Sequence, residues 1–219
     1  MEQSTTKNIE EIIATATRIA LIPSKISGAD AFTAGVGLFN MLEEKGKNVT
    51  FIYKGEIPEG TEGLLEQSKI MSKVDHRDLI ISIDFTGTEA EKVKYQTIGN
   101  KLEFRVGPFY KDFDRSRISF DMASFDFDVV IVLGLQRLED LGSIYTHLNA
   151  EFNKAQIINI DNTTRNTRFG HANVIDASAH NLSHLVFNRS LEWGLTPNVA
   201  AAKALLTGIA NKEKTKVSV

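Results

Sequence analysis

The sequence predicts an α/β domain built on a mainly parallel sheet with helices on both faces. Short apolar runs such as RIALIP and DVVIVL recur without polar alternation, as strands buried on both faces do. Between them lie stretches with apolar residues at helical spacing. A third feature breaks this rhythm. Alternation on both sides of Gly99-Asn100 predicts a β-hairpin, inserted with its surroundings at residues 87–127.

The elements follow in order. Ile9, Ile12, Ile13 and Ala16 fall on one helical face behind the cap candidates Thr5 and Thr6. Residues 18–23 form a buried strand. A helix over 30–45 carries Ala31, Gly35, Leu38, Phe39 and Leu42 on one face and stops at Gly46. Strands are expected at 49–53, 78–84, 128–133 and 156–160, giving a sheet of about five strands. In the insertion, Val93, Tyr95 and Thr97 alternate against Leu102, Phe104 and Val106. Phe109, Phe113, Phe120, Phe125 and Phe127 follow, and are expected to fold back over the hairpin, with a second subunit as the other candidate cover. Residues 1–210 then form one domain, and 211–219 read as a tail or linker.

Composition narrows the function. The 219 residues suit a single domain with a real core, and 42% are apolar. Lysine plus arginine number 25 against 28 acids, a net charge of −3 that argues against an extended nucleic-acid surface. There is no cysteine, which excludes disulfides, thiolate metal sites and thiol catalysis. No apolar run approaches membrane-spanning length, and the N-terminus lacks a signal-peptide core. A cytoplasmic protein with no membrane partner is expected.

In open parallel sheets, ligands bind beyond the carboxyl ends of strands. Four loops of that kind are informative: 24–30, 134–136, 161–170 and 176–184. Asp30, Asp161 and Asp176 mark three of them. Such acids are either turn and cap residues or a converging set that repels itself unless a cation or proton is shared. Asp176, His180 and His184 recur every four residues, which on a helix would put them on one face as a candidate single-metal site. Phe187 and Leu191 near that face point instead to packed histidines. Arg165 and Arg168, in the loop after Asp161, could hold a phosphate with their guanidinium forks or be solvated.

Together these loops resemble something specific. IDNTTRNTRFG is similar to the third motif of DHH-family phosphoesterases, D-H-H-x-x-N-x-x-F-G, matching at Asp161, Asn166, Phe169 and Gly170. The fourth motif is matched at Ile175, Asp176, Ser178 and Ala179, and the closing L-L-T-G-I at residues 205–209. GADAFTAGVG resembles the first motif with its helix, and DVVIVLG the second. The family includes nanoRNase/pAp phosphatases, RecJ-type exonucleases and exopolyphosphatase-like proteins. The resemblance implies the N-terminal domain of that family without its smaller C-terminal substrate-binding domain.

The departures bear on activity. Ser24 stands where the first motif has a metal-binding histidine, and Gly28 replaces one of its acids while Asp30 is kept. Gly134 replaces the second-motif aspartate, and Asn162 and Thr163 replace the two name-giving histidines. Two bridged metals need several carboxylates and imidazoles, which these substitutions remove. The resemblance therefore implies a catalytically impaired protein without a cofactor. It would bind a nucleotide, short RNA or other phosphorylated ligand through Arg165, Asn166, Arg168 and Ser178, or act as a scaffold, with a homodimer as a candidate assembly. The alternative is a working Mn2+- or Mg2+-dependent phosphodiesterase or nucleotide phosphatase with a rearranged site. Its candidates would be Asp30, Asp161, Asp176, His180 and His184.

Overall fold

The computed structural model describes residues 2–74, 78–87, 92–107, 109, 113–122 and 125–217. The chain divides into two compact units, one formed by residues 1–75 and 125–219 and the other by 76–124.

The first unit holds a six-stranded, wholly parallel sheet. Its strands are β1 (Arg18–Pro23), β2 (Asn48–Ile52), β3 (Ile70–Met71), β8 (Val129–Leu133), β9 (Gln156–Asp161) and β10 (Ala172–Ile175), in the order β10-β9-β8-β1-β2-β3. The chain leaves β1 in one direction toward β2 and later returns on its other side through β8, so the strand order reverses between β1 and β8. Alternate residues of each strand face opposite cores. Ile19 and Leu21 of β1 join a cluster with α1 (Glu2–Thr15), α2 (Gly28–Glu44), α5 (Leu182–Ser190) and α6 (Val199–Val217). Ala20 and Ile22 join the opposite cluster with α3 (Ser143–His147), α4 (Asn149–Phe152) and Val74. Both faces are covered, and the fold class is the one expected.

Small residues set the helical layer. The hydroxyls of Thr33 in α2 and Ser183 in α5 share a buried hydrogen bond of 2.9 Å. Gly208 of α6 lies against that pair, where a Cβ would meet Ser183 Oγ at 2.1 Å and Thr33 Oγ1 at 2.2 Å. Gly37 gives the same close approach to Leu205. The L-L-T-G-I segment is thus a packing signature: α6 comes this close to Thr33 and Ser183 because residue 208 has no side chain.

Three expectations fail. The run at 78–84 is not a strand of the parallel sheet. Its central part is β4 (Leu79–Ile83), which pairs antiparallel with β7 (Ile118–Met122) in the second unit, while β3 takes the sheet edge. Its side chains are largely exposed, so an apolar run was not evidence of burial on both faces. The insertion consequently begins near residue 76 and ends near 124. Helix α1 starts at Glu2, which puts Thr5 and Thr6 inside it instead of at its cap. The five phenylalanines do not form one cover. Phe109 stacks on Phe85 and approaches Phe113 at 4.4 Å, Phe125 and Phe127 stack together and pack on the second core cluster, and Phe120 is exposed. The hairpin of β5 (Lys92–Ile98) and β6 (Lys101–Gly107) stands as expected.

Gly208→Ala tests the helical packing. A methyl group there collides with two hydrogen-bonded hydroxyls in a filled layer, so the variant should lose about 1–3 kcal/mol of stability, read from urea denaturation. A variant as stable as the parent would show that α6 shifts freely.

Candidate functional site

The crevice where strand order reverses, at the carboxyl ends of β1 and β8, is where open sheets of this kind bind ligands. Its walls are built from the four loops singled out by sequence. Ser24 is buried at the end of β1, where its amide donates to the Leu133 carbonyl and its Oγ accepts the Ile26 amide at 3.1 Å. Gly134 follows β8 with φ of 70°, and its carbonyl accepts from Ser27 Oγ at 2.7 Å. A Cβ at residue 134 would stand 2.8 Å from both Leu182 Cδ1 and Ser27 Oγ.

Asp30, in the first turn of α2, reaches the start of α5. Its carboxylate accepts the Leu182 amide at 2.9 and 3.1 Å and the Ser183 amide at 3.4 Å. Asn181, the residue before α5, takes the His184 amide at 2.7 Å. Together they satisfy amides that a helix start leaves without partners, and the negative charge lies at the positive end of the helix. Asp30 is doing the work of a cap.

Asp161, at the end of β9, is buried. Its Oδ1 accepts the Asn162 amide at 2.8 Å and its Oδ2 accepts Asn166 Nδ2 at 2.9 Å. Asn166 also donates to the Leu135 carbonyl at 2.7 Å and accepts from Asn159 Nδ2 and the Arg168 amide. Asn159, fully buried in β9, continues to Asn173 across the ladder, and Asn173 closes on both backbone groups of Gly170. Burial pushes the Asp161 carboxyl above the usual aspartate range, partly offset by these hydrogen bonds. No charge of Asp30 or Asp176 enters, so the expected mutual repulsion is not the cause.

Asp176 follows β10 and is half-buried. Its Oδ1 accepts the hydroxyl and amide of Ser178 at 2.5 and 2.9 Å. The Ser178 hydroxyl foremost holds the Asp176 carboxyl below its ordinary range, against a modest cost of burial. Because α5 begins at Leu182, Asp176 and His180 precede it and the presumed shared helical face does not exist. The rings of His180 and His184 are nonetheless 6.4 Å apart. His184 Nδ1 is buried without a hydrogen-bond partner among the described residues, and its Nε2 lies 3.3 Å from Asn188 Nδ2. Phe187 and Leu191, expected to pack beside these histidines, are exposed.

A two-metal centre does not fit these residues. Among the described residues, no group of three or more His, Cys, Asp or Glu side chains is placed to hold an ion. Asp30 caps a helix, Asp161 is occupied by an asparagine, and the space beside residue 134 is filled.

Cationic groups are better placed. Arg165 and Arg168 are exposed on the loop after β9, with no side-chain partner among the described residues, and Arg168 adopts φ of 54°. Asn166 and Ser178, expected beside them as ligand contacts, spend their polar groups within the protein. A cavity of about 330 Å³ opens beyond the ends of β1 and β8, lined by Pro23, Ser24, Lys25, Lys54, Leu135 and residues 140–144. Lys54 Nζ donates to Ser143 Oγ at 2.9 Å. Sequence reasoning missed Lys54 and Ser143. Lys54 directly follows a strand, which was the available signal; Ser143 had none.

No family model and no curated protein matches the chain. Among solved structures it is similar to an exopolyphosphatase-related protein from Bacteroides fragilis, at a TM-score of 0.65 and 15% identity over 96% of this chain. The chain spans about half of that protein, 50% of its length. The likeness is one of fold, consistent with a phosphoesterase-like α/β architecture.

The two buried and half-buried acids should titrate with opposite signs. A raised folded-state pKa at Asp161 means that stability is present at low pH and lost as pH rises through that pKa. A lowered one at Asp176 means that stability is present above the ordinary value and lost as pH falls toward the folded value. The stability advantage of the parent over Asp161→Asn should therefore shrink on going from about pH 4 to pH 7. Its advantage over Asp176→Asn should change only below about pH 4. Chemical denaturation from about pH 7 down to about pH 2 reads both.

Proposed function

We propose that this chain binds a phosphorylated ligand at the crevice between β1 and β8 and does not hydrolyse it through a two-metal centre. The observation that carries this reading is the fate of Asp30. The carboxylate that the family resemblance assigns to metal instead accepts the first amides of α5. Beside it, Gly134 offers no ligand and its surroundings leave no room for one. Hydrolysis by that route needs anionic ligands bridging two ions, and these acids are otherwise engaged.

The cations support binding. Lys25 and Lys54 line the cavity, and Arg165 and Arg168 are exposed on the neighbouring loop, which is anchored to the cavity wall by Asn166 donating to the Leu135 carbonyl. The cavity lies at the lower end of small-ligand volumes, suited to a mononucleotide or a short oligonucleotide end. Guanidinium forks take two phosphate oxygens at once, while lysine supplies a compact charge without fixed geometry. The ligand class is therefore set by phosphate, and any base would rest on Pro23, Leu135, Leu141 and Ile144.

One observation favours a second reading, a rearranged hydrolase. His184 Nδ1 is buried and unpartnered beside His180, and imidazole is a common metal ligand and general base. Both readings meet in one experiment. Calorimetric titration with pAp and ADP should show binding that Lys54→Ala and Arg168→Ala each weaken by about tenfold, the loss of one charge-assisted contact. Hydrolysis of pAp and short oligoribonucleotides with Mn2+ should stay at background. Turnover above about 1 s⁻¹ that disappears in Asp176→Asn would overturn the binding reading in favour of the hydrolase.

A further inference from the structure

The hairpin of β5 and β6 is a two-stranded sheet with exposed apolar residues on one face. Val93, Tyr95, Leu102 and Phe104 are 66%, 75%, 58% and 50% exposed, and Tyr95 and Phe104 are cross-strand partners with rings 6.4 Å apart. Isolated two-stranded ribbons are marginal in water and gain stability from a third strand or a packed face. Among the described residues no third strand pairs with either edge.

The turn fixes which backbone groups are free. Gly99-Asn100 is a two-residue connection with Gly99 at φ of 59°, so Ile98 and Lys101 form a hydrogen-bonded pair and the pattern alternates from there. Lys101, Glu103, Arg105 and Gly107 bond inward to β5. Leu102, Phe104 and Val106 direct their N–H and C=O groups to the open edge of β6.

We propose that a second copy of this chain pairs with that edge, β6 against β6 about a two-fold axis at Phe104. In this register Phe104 faces Phe104 of the other copy, Leu102 faces its Val106, and all of these are hydrogen-bonding positions. Charge selects the register. Glu103 then lies opposite Arg105 of the second copy, and Arg105 opposite its Glu103. Moving the axis to residue 103 or 105 also satisfies the backbone but sets Glu103 on Glu103 or Arg105 on Arg105. Arg105 has a reason to seek a further acid, because across its own hairpin it faces Lys94 and its ion pair with Glu103 is exposed at the surface. The β5 edge has no such match. An axis at Tyr95 sets Lys94 against Gln96, and an axis at Lys94 sets it against itself. The result is a four-stranded antiparallel sheet with one continuous apolar face, an isologous contact of the kind closed dimers use.

Sedimentation of the full chain up to roughly 100 µM should show a reversible dimer. Glu103→Arg and Arg105→Glu should each weaken self-association by about tenfold or more, since attraction becomes repulsion at two symmetric positions. Mixed in equal amounts, the two variants should form a heterodimer as tight as the parent, because each then supplies the charge that the other lacks. Loss of the ion pair within each chain cannot be rescued by mixing, so heterodimer formation isolates the contact between chains. A parent that stays monomeric, single variants that associate like the parent, or a mixture that does not pair would overturn the proposal.

Discussion

Much of the first unit hangs on a carboxylate that bridges residues 152 positions apart in sequence. Asp30, at the start of α2, accepts the amide of Leu182 at the start of α5. A helix beginning inside a protein must find acceptors for its first amides, because no water reaches them. Once Asp30 and Asn181 fill that role, the two helix starts are held together. Thr33 can then meet Ser183, and α6 can close over both through Gly208. The same contact removes Asp30 from the pool of free anions at the crevice. One carboxylate thus serves both the packing of the helices and the shape of the crevice.

A second polar assembly shapes the crevice from the other side. Asn159 is an amide in the middle of an otherwise apolar strand, a costly place unless every group is paired. Asn166 and Asn173 pair it, Gly170 in turn pairs with Asn173, and Asp161 joins through Asn166 at the rim. This network holds the loop from β9, which carries Arg165 and Arg168, against Leu135 and Gln136. The loop is anchored by asparagine side chains, and neither arginine side chain has a partner among the described residues.

The parallel sheet was legible because Ile19 to Ile22 and Val129 to Leu133 are apolar at every position, the pattern of strands covered on both faces. The same rule misread Leu79 to Ile83, whose apolar residues are exposed in a separate unit. Composition reports what a segment could bury, and the partner decides what it does bury. At the site, the turn and cap role of Asp30, Asp161 and Asp176 was one of two readings open from sequence, but the partners of these acids were not legible. Those depend on contacts such as Asn166 with Asp161 or Leu182 with Asp30, which no local pattern encodes. The helical repeat of Asp176, His180 and His184 failed because Asn181 starts α5 after two of the three. Lys54 and Ser143 escaped notice because a cavity wall is assembled from segments that are unremarkable one at a time.

Gly134 makes the crevice resistant to single substitutions. An aspartate placed there would have to adopt a left-handed backbone at φ of 70° and intrude on Leu182 and Ser27. Asp30 would still be bound to α5, and releasing it would leave the Leu182 amide without this acceptor. Residue 134, Ser27, Asp30 and Leu182 are thus tied to one another, so that a new charge at the crevice calls for changes at several of these positions together.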